Sequence, residues 1–272
     1  MNALADWVRG TRDTLTWLDT DRYVWSVFAG RPDRWYDDPA TLAAATAQAH
    51  SLLRSDVHPV NVAGPFLRYL AASDTAAICA ALEHPEPRRL LTDTLDSLTH
   101  QLGEGVDIVL DCPSPRKLFG TGAGEVDFDA QEDVAAGLLE VIRTVADRPV
   151  GGLQIACATL SGPDDDETDC WSSLLSAAEY YGWVTAVRVN EVSNPDQLTT
   201  ELPADLLLFP RVAADVLPDE RRFGAGLPPE VWTDGSDAAL LVDAAAKRAF
   251  RFGEIPWQAH PETVLSRVAA LA

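Results

Sequence analysis

Lysine is almost missing from this sequence. The 272 residues hold two lysines against 19 arginines, and 42 acidic residues bring the formal charge to −21. A field of that sign repels phosphate backbones and anionic headgroups, so nucleic acid and membrane surfaces are excluded as expected partners. Long apolar runs are missing too: none approaches the ~20 residues that span a bilayer. The N-terminal MNALADWVRGTRD has no apolar segment of a secretory signal, so the expectation is a cytoplasmic protein. The four cysteines (Cys79, Cys112, Cys157 and Cys170) form no CxxC pair, and a chain of this size needs no disulfides there. His50, His58, His84, His100 and His260 form no HxH or HxxxH pair. No strand runs into GxGxxG at the start of a helix, and the Gly-rich stretch 120–124 lacks the Lys-Ser/Thr of a phosphate loop. There is no internal repeat and no linker-like segment, so one domain is expected.

Among the acids Asp outnumbers Glu, 28 to 14. Two readings account for this balance. One is adaptation to high salt, a hydrated carboxylate surface whose self-repulsion is screened by ions. The other is a GC-rich coding sequence, which also favours Arg, Ala, Asp and Gly.

What is present centres on VDIVLDCPSPRK, residues 106–117. Its apolar start reads as a strand buried on both faces, the kind found in parallel sheets. Pro113 and Pro115 must end it, which leaves Asp111 and Cys112 at its carboxyl end. Strands are expected near residues 22–29, 57–63, 106–110, 152–159, 184–189, 205–209, 223–226 and 231–233. Helices are expected over 1–20, 39–53, 66–83, 87–103, 128–146, 170–181, 195–202, 236–250 and 261–271. Alternating strands and helices imply right-handed crossovers and a parallel sheet. Eight units predict a (β/α)8 TIM barrel over 22–272 behind an N-terminal helical extension, with chemistry at the carboxyl ends of the strands; the alternative is an open doubly wound sheet.

Polar groups end several of these strands, and one shared pocket would gather them. Arg188, Asn190 and Glu191 follow one strand, Arg211 another, and Trp232 and Asp234 the last; these are the candidate substrate contacts. Cys157 closes the strand after Asp111. Two thiolates with a carboxylate could hold zinc, with water completing a tetrahedron, so Cys112 and Cys157 are the candidate metal ligands. A metal-free alternative pairs Asp111 with Arg31, a carboxylate steadying a developing cation and an arginine gripping a substrate carboxylate.

Several stretches together resemble the superfamily that joins uroporphyrinogen decarboxylase with cobalamin-independent methionine synthase and related methyltransferases. The helix 87–103 followed by GEGVDIVLDCPSP resembles its helix, strand and Asp-x-Pro element. Gly64-Pro65-Phe66 resembles its turn after a strand. Leu153 to Cys157 stands where the methyltransferases carry a His-x-Cys zinc pair. FGAG at 223–226, Leu227-Pro228 and VWTDG at 231–235 resemble the last strands of the synthase. FRFGEIPWQAHPETV at 250–264 resembles the decarboxylase ending. The departures are specific: Ile155 stands where the zinc pair needs His, no cysteine occurs near Gly235 or Ser236, Cys112 replaces an acid, and Glu254 replaces the His of a Gly-His-Gly element. The resemblance implies a methyltransferase acting on a small thiol or related acceptor, with zinc activating that thiol. Its alternatives are a cofactor-free decarboxylase-like lyase and a barrel that only binds a ligand or partner.

Overall fold

A computed structural model describes residues 3–70, 74–120, 126–157, 165–190, 202–217, 219–233 and 236–271. Eight parallel strands close into a barrel in the order β1 to β8. They are β1 (Leu15–Asp19), β2 (Val57–Asn61), β3 (Asp107–Pro113), β4 (Val150–Ala156), β5 (Val184–Arg188), β6 (Leu206–Leu208), β7 (Phe223–Gly226) and β8 (Phe250–Glu254). The ring is sealed where β8 lies parallel to β1, with Trp17 opposite Phe252 and Asp19 opposite Glu254. The expected (β/α)8 architecture is therefore the observed one. Among the described residues no helix is long and apolar enough to cross a membrane.

Each strand sends alternate residues to opposite faces. Leu15, Trp17, Val109, Ala186, Leu208, Phe250 and Phe252 fill the barrel interior. Their neighbours Leu18, Leu110, Ile155, Val187 and Leu207 face the helices. Phe250 fits inside because β7 offers no side chain opposite it: a Cβ at Gly224 would stand 2.8 Å from the Phe250 ring.

The helices lie outside. After α1 (Ala3–Val8) and α2 (Asp21–Val27) come α3 (Pro39–Leu53), α4 (Thr75–Glu83), α5 (Pro85–Leu102), α6 (Phe128–Arg143), α7 (Asp165–Tyr180), α8 (Ser236–Ala245) and α9 (Pro261–Leu271). The sequence dictates their starts. Asp38 caps α3 by accepting the Thr41 N–H, with Pro39 in the first turn. On α5 the stripe Leu90, Leu91, Leu95 and Leu98 is buried, as helical periodicity requires.

Four expectations need correction. The N-terminal helix stops at Val8, and residues 15–19 form β1, so the barrel starts before residue 22. Leu15 and Leu18 fit a helical stripe with Trp7, but Leu15 and Trp17 alternate at period two, and the ring uses that second period. The stretch 22–29, rich in aromatic and branched residues, lies mostly in α2, where Tyr23 and Val24 bury one face. The segment 231–233 is no strand: Pro229–Trp232 is a 3-10 turn. The last strand is β8, whose Phe250 and Phe252 point inward, and it begins where a helix was expected to end. Most of the expected helix over 195–202 lies outside the described residues.

The N-terminal helix has a defined task. α1 plugs the amino-terminal end of the barrel, its Leu4 and Trp7 packed among the inward strand residues. The Leu4 N–H donates to Asp107 Oδ2 at 2.6 Å. The plug leaves the opposite end as the open one.

Candidate active site at the barrel mouth

At the carboxyl ends of the strands the inward positions change character. Below they are Leu, Val, Phe and Trp; at the top they are Asp19 on β1, Asn61 on β2, Asp111 on β3, Arg188 on β5 and Glu254 on β8. All five line a single cavity of about 460 Å3. Register places them: Asn61 pairs with Asp111, Asp111 with Gln154, and Asp19 with Glu254. This face of a parallel barrel is where catalytic groups sit in essentially every characterised example.

Arg188 organises the floor. Its Nη1 donates to Asp19 Oδ2 at 2.5 Å and its Nη2 to Glu254 Oε2 at 2.6 Å. Burial opposes its charge, but Asp19, Asp111 and Glu254 outweigh burial and hold the guanidinium firmly protonated. Asp111 accepts from Gln154 Nε2 at 2.5 Å. Burial pushes Asp111 above the usual carboxylate range; Arg188 opposes that rise and Asp19 adds to it.

A second, outer cavity of about 730 Å3 opens beside the first, sharing Asp21, Arg22, Asn61 and Leu67 with it. Its wall is aromatic, with Trp25, Trp35, Tyr36 and Trp257. Arg31 lies here with its guanidinium 4.7 Å from the Trp257 ring centre. Asp21 stands at the junction, accepting from Tyr36 Oη at 2.5 Å and from Trp35 Nε1 at 3.3 Å.

The structure brings four of the sequence candidates together: Asp111, Arg188, Asn190 and Arg211 all line the inner cavity. Arg31 lines the outer cavity and Asp111 the inner one. Glu191 and Asp234 lie outside the described residues. Trp232 is 2% exposed and packs in the layer between barrel and helices instead of at the mouth.

The cysteines are the main correction. Cys112 follows Asp111 in β3 and therefore faces the other way, into the apolar layer under the helices; Cys157 follows the inward Ala156 and does the same. Burial raises both thiols well above their ordinary range. Among the described residues no group of three His, Cys, Asp or Glu is placed to hold a metal ion. The residues here do not fit the zinc centre that the resemblance implies, and no chemistry below is routed through one.

Sequence reasoning missed Asp19, Asp21, Asn61, Lys117 and Glu254. The signal was present for three of them. LTWLD, VHPVN and FRFGE each end in a polar group after an alternating or apolar run, as VDIVLD does.

No protein-family model and no curated protein matches the chain. Solved structures do match. A methyltransferase from Methanosarcina mazei superposes with a TM-score of 0.64 at 11% identity, covering 98% of this chain and 96% of that one. A protein of Listeria monocytogenes described as a vitamin B12-independent methionine synthase gives a TM-score of 0.58 at 12% identity, covering 86% of this chain and 84% of that one. At such identities the likeness is one of fold.

Proposed function

We propose that the chain is a small-molecule methyltransferase, moving a methyl group to a thiol or related acceptor held in the inner cavity. One observation carries this reading: the top inward layer of the barrel is a polar ring around one cavity, above layers filled mostly by apolar side chains. Arg188 held between two carboxylates at the open end is the kind of charged cluster that functional sites gather. The methyltransferase and synthase folds of the two structural neighbours support the choice of chemistry by analogy.

In this reading Arg188 and its carboxylates form the rigid floor, and Asp111, backed by Gln154, meets the acceptor. Positioning by preset groups is worth several kcal/mol of barrier. The test pairs isotope-labelled methyl donors of several classes with a panel of small thiols and thioethers, and follows label by mass spectrometry. Label transfer by the wild type, lowered ~100-fold or more in kcat/KM by Asp111→Asn, is expected. Folded protein that transfers label to no acceptor would overturn the proposal. The decarboxylase-like reading would need one substrate to reach from Arg31 in the outer cavity to Asp111 in the inner one.

A further inference from the structure

We infer that Asp21 is the proton carrier of this site, taking the proton of an acceptor in the inner cavity and releasing it to water in the outer one. The inference rests on the methyltransferase reading and adds to it a residue that the sequence resemblance does not touch.

The geometry singles out Asp21 among the four carboxylates at the mouth. It lies two residues past Asp19, at the start of α2, and lines both cavities. Asp19 and Glu254 are each engaged by Arg188. Asp111 is held by the Gln154 amide within the field of Arg188 and Lys117. Asp21 has only neutral donors, the Tyr36 hydroxyl and the Trp35 indole N–H. Among the described residues no cation hydrogen-bonds it.

The Tyr36 contact is directed. Asn61 Nδ2 donates to the Tyr36 oxygen at 3.3 Å, so the Tyr36 hydrogen is free to point at Asp21. The Tyr36 ring is held flat against Gly64, where a Cβ would stand 2.5 Å from it.

The charged and titratable groups around Asp21 come from every neighbouring element. Asp19 and Asp111 face it from β1 and β3, Tyr36 from the turn before α3, and Arg22 adjoins it on α2. His58 on β2 lines a small void of about 10 Å3 together with Asp21, and burial lowers its pKa to about 4, so it stays neutral. Burial raises the Asp21 carboxyl to about 6; Tyr36 and Trp35 restrain that rise, and Asp19 and Asp111 add to it. A base works best when its proton affinity lies near the operating pH.

The step balances without further groups. The acceptor S–H bond breaks and its proton passes to the Asp21 carboxylate. The sulfur electron pair forms the new C–S bond to an electrophilic methyl donor, and the donor–methyl bond breaks with its electrons staying on the donor. Asp21 then loses the proton to water in the outer cavity.

The test combines an infrared pH titration with the pH profile of label transfer. A protonated-carboxyl C=O band titrating near pH 6 is expected in the wild type and absent from Asp21→Asn. Asp21→Asn is expected to lower kcat by ~10²–10⁴ with KM little changed, and to lose the acidic limb of the profile. Tyr36→Phe removes a donor that favours the carboxylate, so band and limb should move together to higher pH. A merely structural Asp21 would still show the shifted band in Tyr36→Phe but leave the limb where it was. Label transfer that Asp21→Asn leaves unimpaired, or a limb that stays put in Tyr36→Phe, overturns the role of Asp21 alone. Failure of the wild type to transfer label to any acceptor overturns the methyltransferase reading and this role with it.

Discussion

Arg188 Nη1 stands 2.5 Å from Asp19 Oδ2, although the two residues belong to strands on opposite sides of the ring. The guanidinium crosses the lumen and forms the floor on which any ligand must rest. Replacing it by Met removes a cation in hydrogen-bond contact with both Asp19 and Glu254. The side chains are 13% and 36% exposed, so solvent softens the loss. Urea unfolding of Arg188→Met at pH 8 should show a loss near the lower end of the ~3–5 kcal/mol typical of a broken buried pair. A neutral substitution would mean that the bridge carries little.

Asp21 should cost the protein stability at neutral pH. Its folded pKa is raised to about 6, above the ordinary value of 3.8, so the folded state holds the proton more tightly than the unfolded chain. Such a group penalises folding fully above pH 6, and the penalty fades as pH falls from 6 towards 4. Asp21→Asn should therefore stabilise the fold by on the order of 1–3 kcal/mol at pH 8 and by little at pH 4. Thermal denaturation across that range checks both the sign and the window.

Gly64→Ala probes the wall behind Asp21. The added Cβ would meet the Tyr36 ring at 2.5 Å, too close for any rotamer adjustment on the alanine side. Tyr36 must shift, at a cost of ~1–3 kcal/mol. Its hydrogen bond to Asp21 should weaken, moving the carboxyl titration upward. An unchanged titration with lowered stability would show that Tyr36 gives way without leaving Asp21.

The cysteines should be silent in the native protein. Cys112, Cys157 and Cys170 are buried and Cys79 is half-buried, and burial raises all four thiols. A thiol reagent should modify at most Cys79 on the timescale of mixing, with the others appearing on denaturation. Cys112→Ser should cost ~1–3 kcal/mol, as a hydroxyl enters an apolar layer, and leave metal content unchanged. Rapid labelling of Cys112, or bound zinc lost in Cys112→Ser, would contradict the placement given above.

Salt should stabilise the fold. At a formal charge of −21, surface repulsion acts against compaction, and it is screened within ~3 Å at molar ionic strength. Melting temperature is expected to climb from dilute buffer to molar potassium chloride. A flat response would leave coding bias as the account of the Asp and Arg excess.

The sequence by itself determined the class of fold. Short apolar runs closed by Gly, Pro or a polar group, alternating with amphipathic helices, admit few arrangements other than a parallel barrel. It also located the anchor β3 and four of the residues that line the inner cavity, Asp111, Arg188, Asn190 and Arg211. The shared zinc site expected for Asp111 and Cys112 ignored the period of two, which puts neighbouring strand residues on opposite faces. Which of those faces is the inside was decided only when helices closed over one of them, and that choice sent the carboxylate to the mouth and the thiol to the outer layer. β1 and α2 were settled the same way. Five residues are too few for periodicity to separate strand from helix, and closure of the ring against β8 made the choice. Arg188 reaches Asp19 and Glu254 across 169 and 66 positions of chain, contacts that no local pattern encodes.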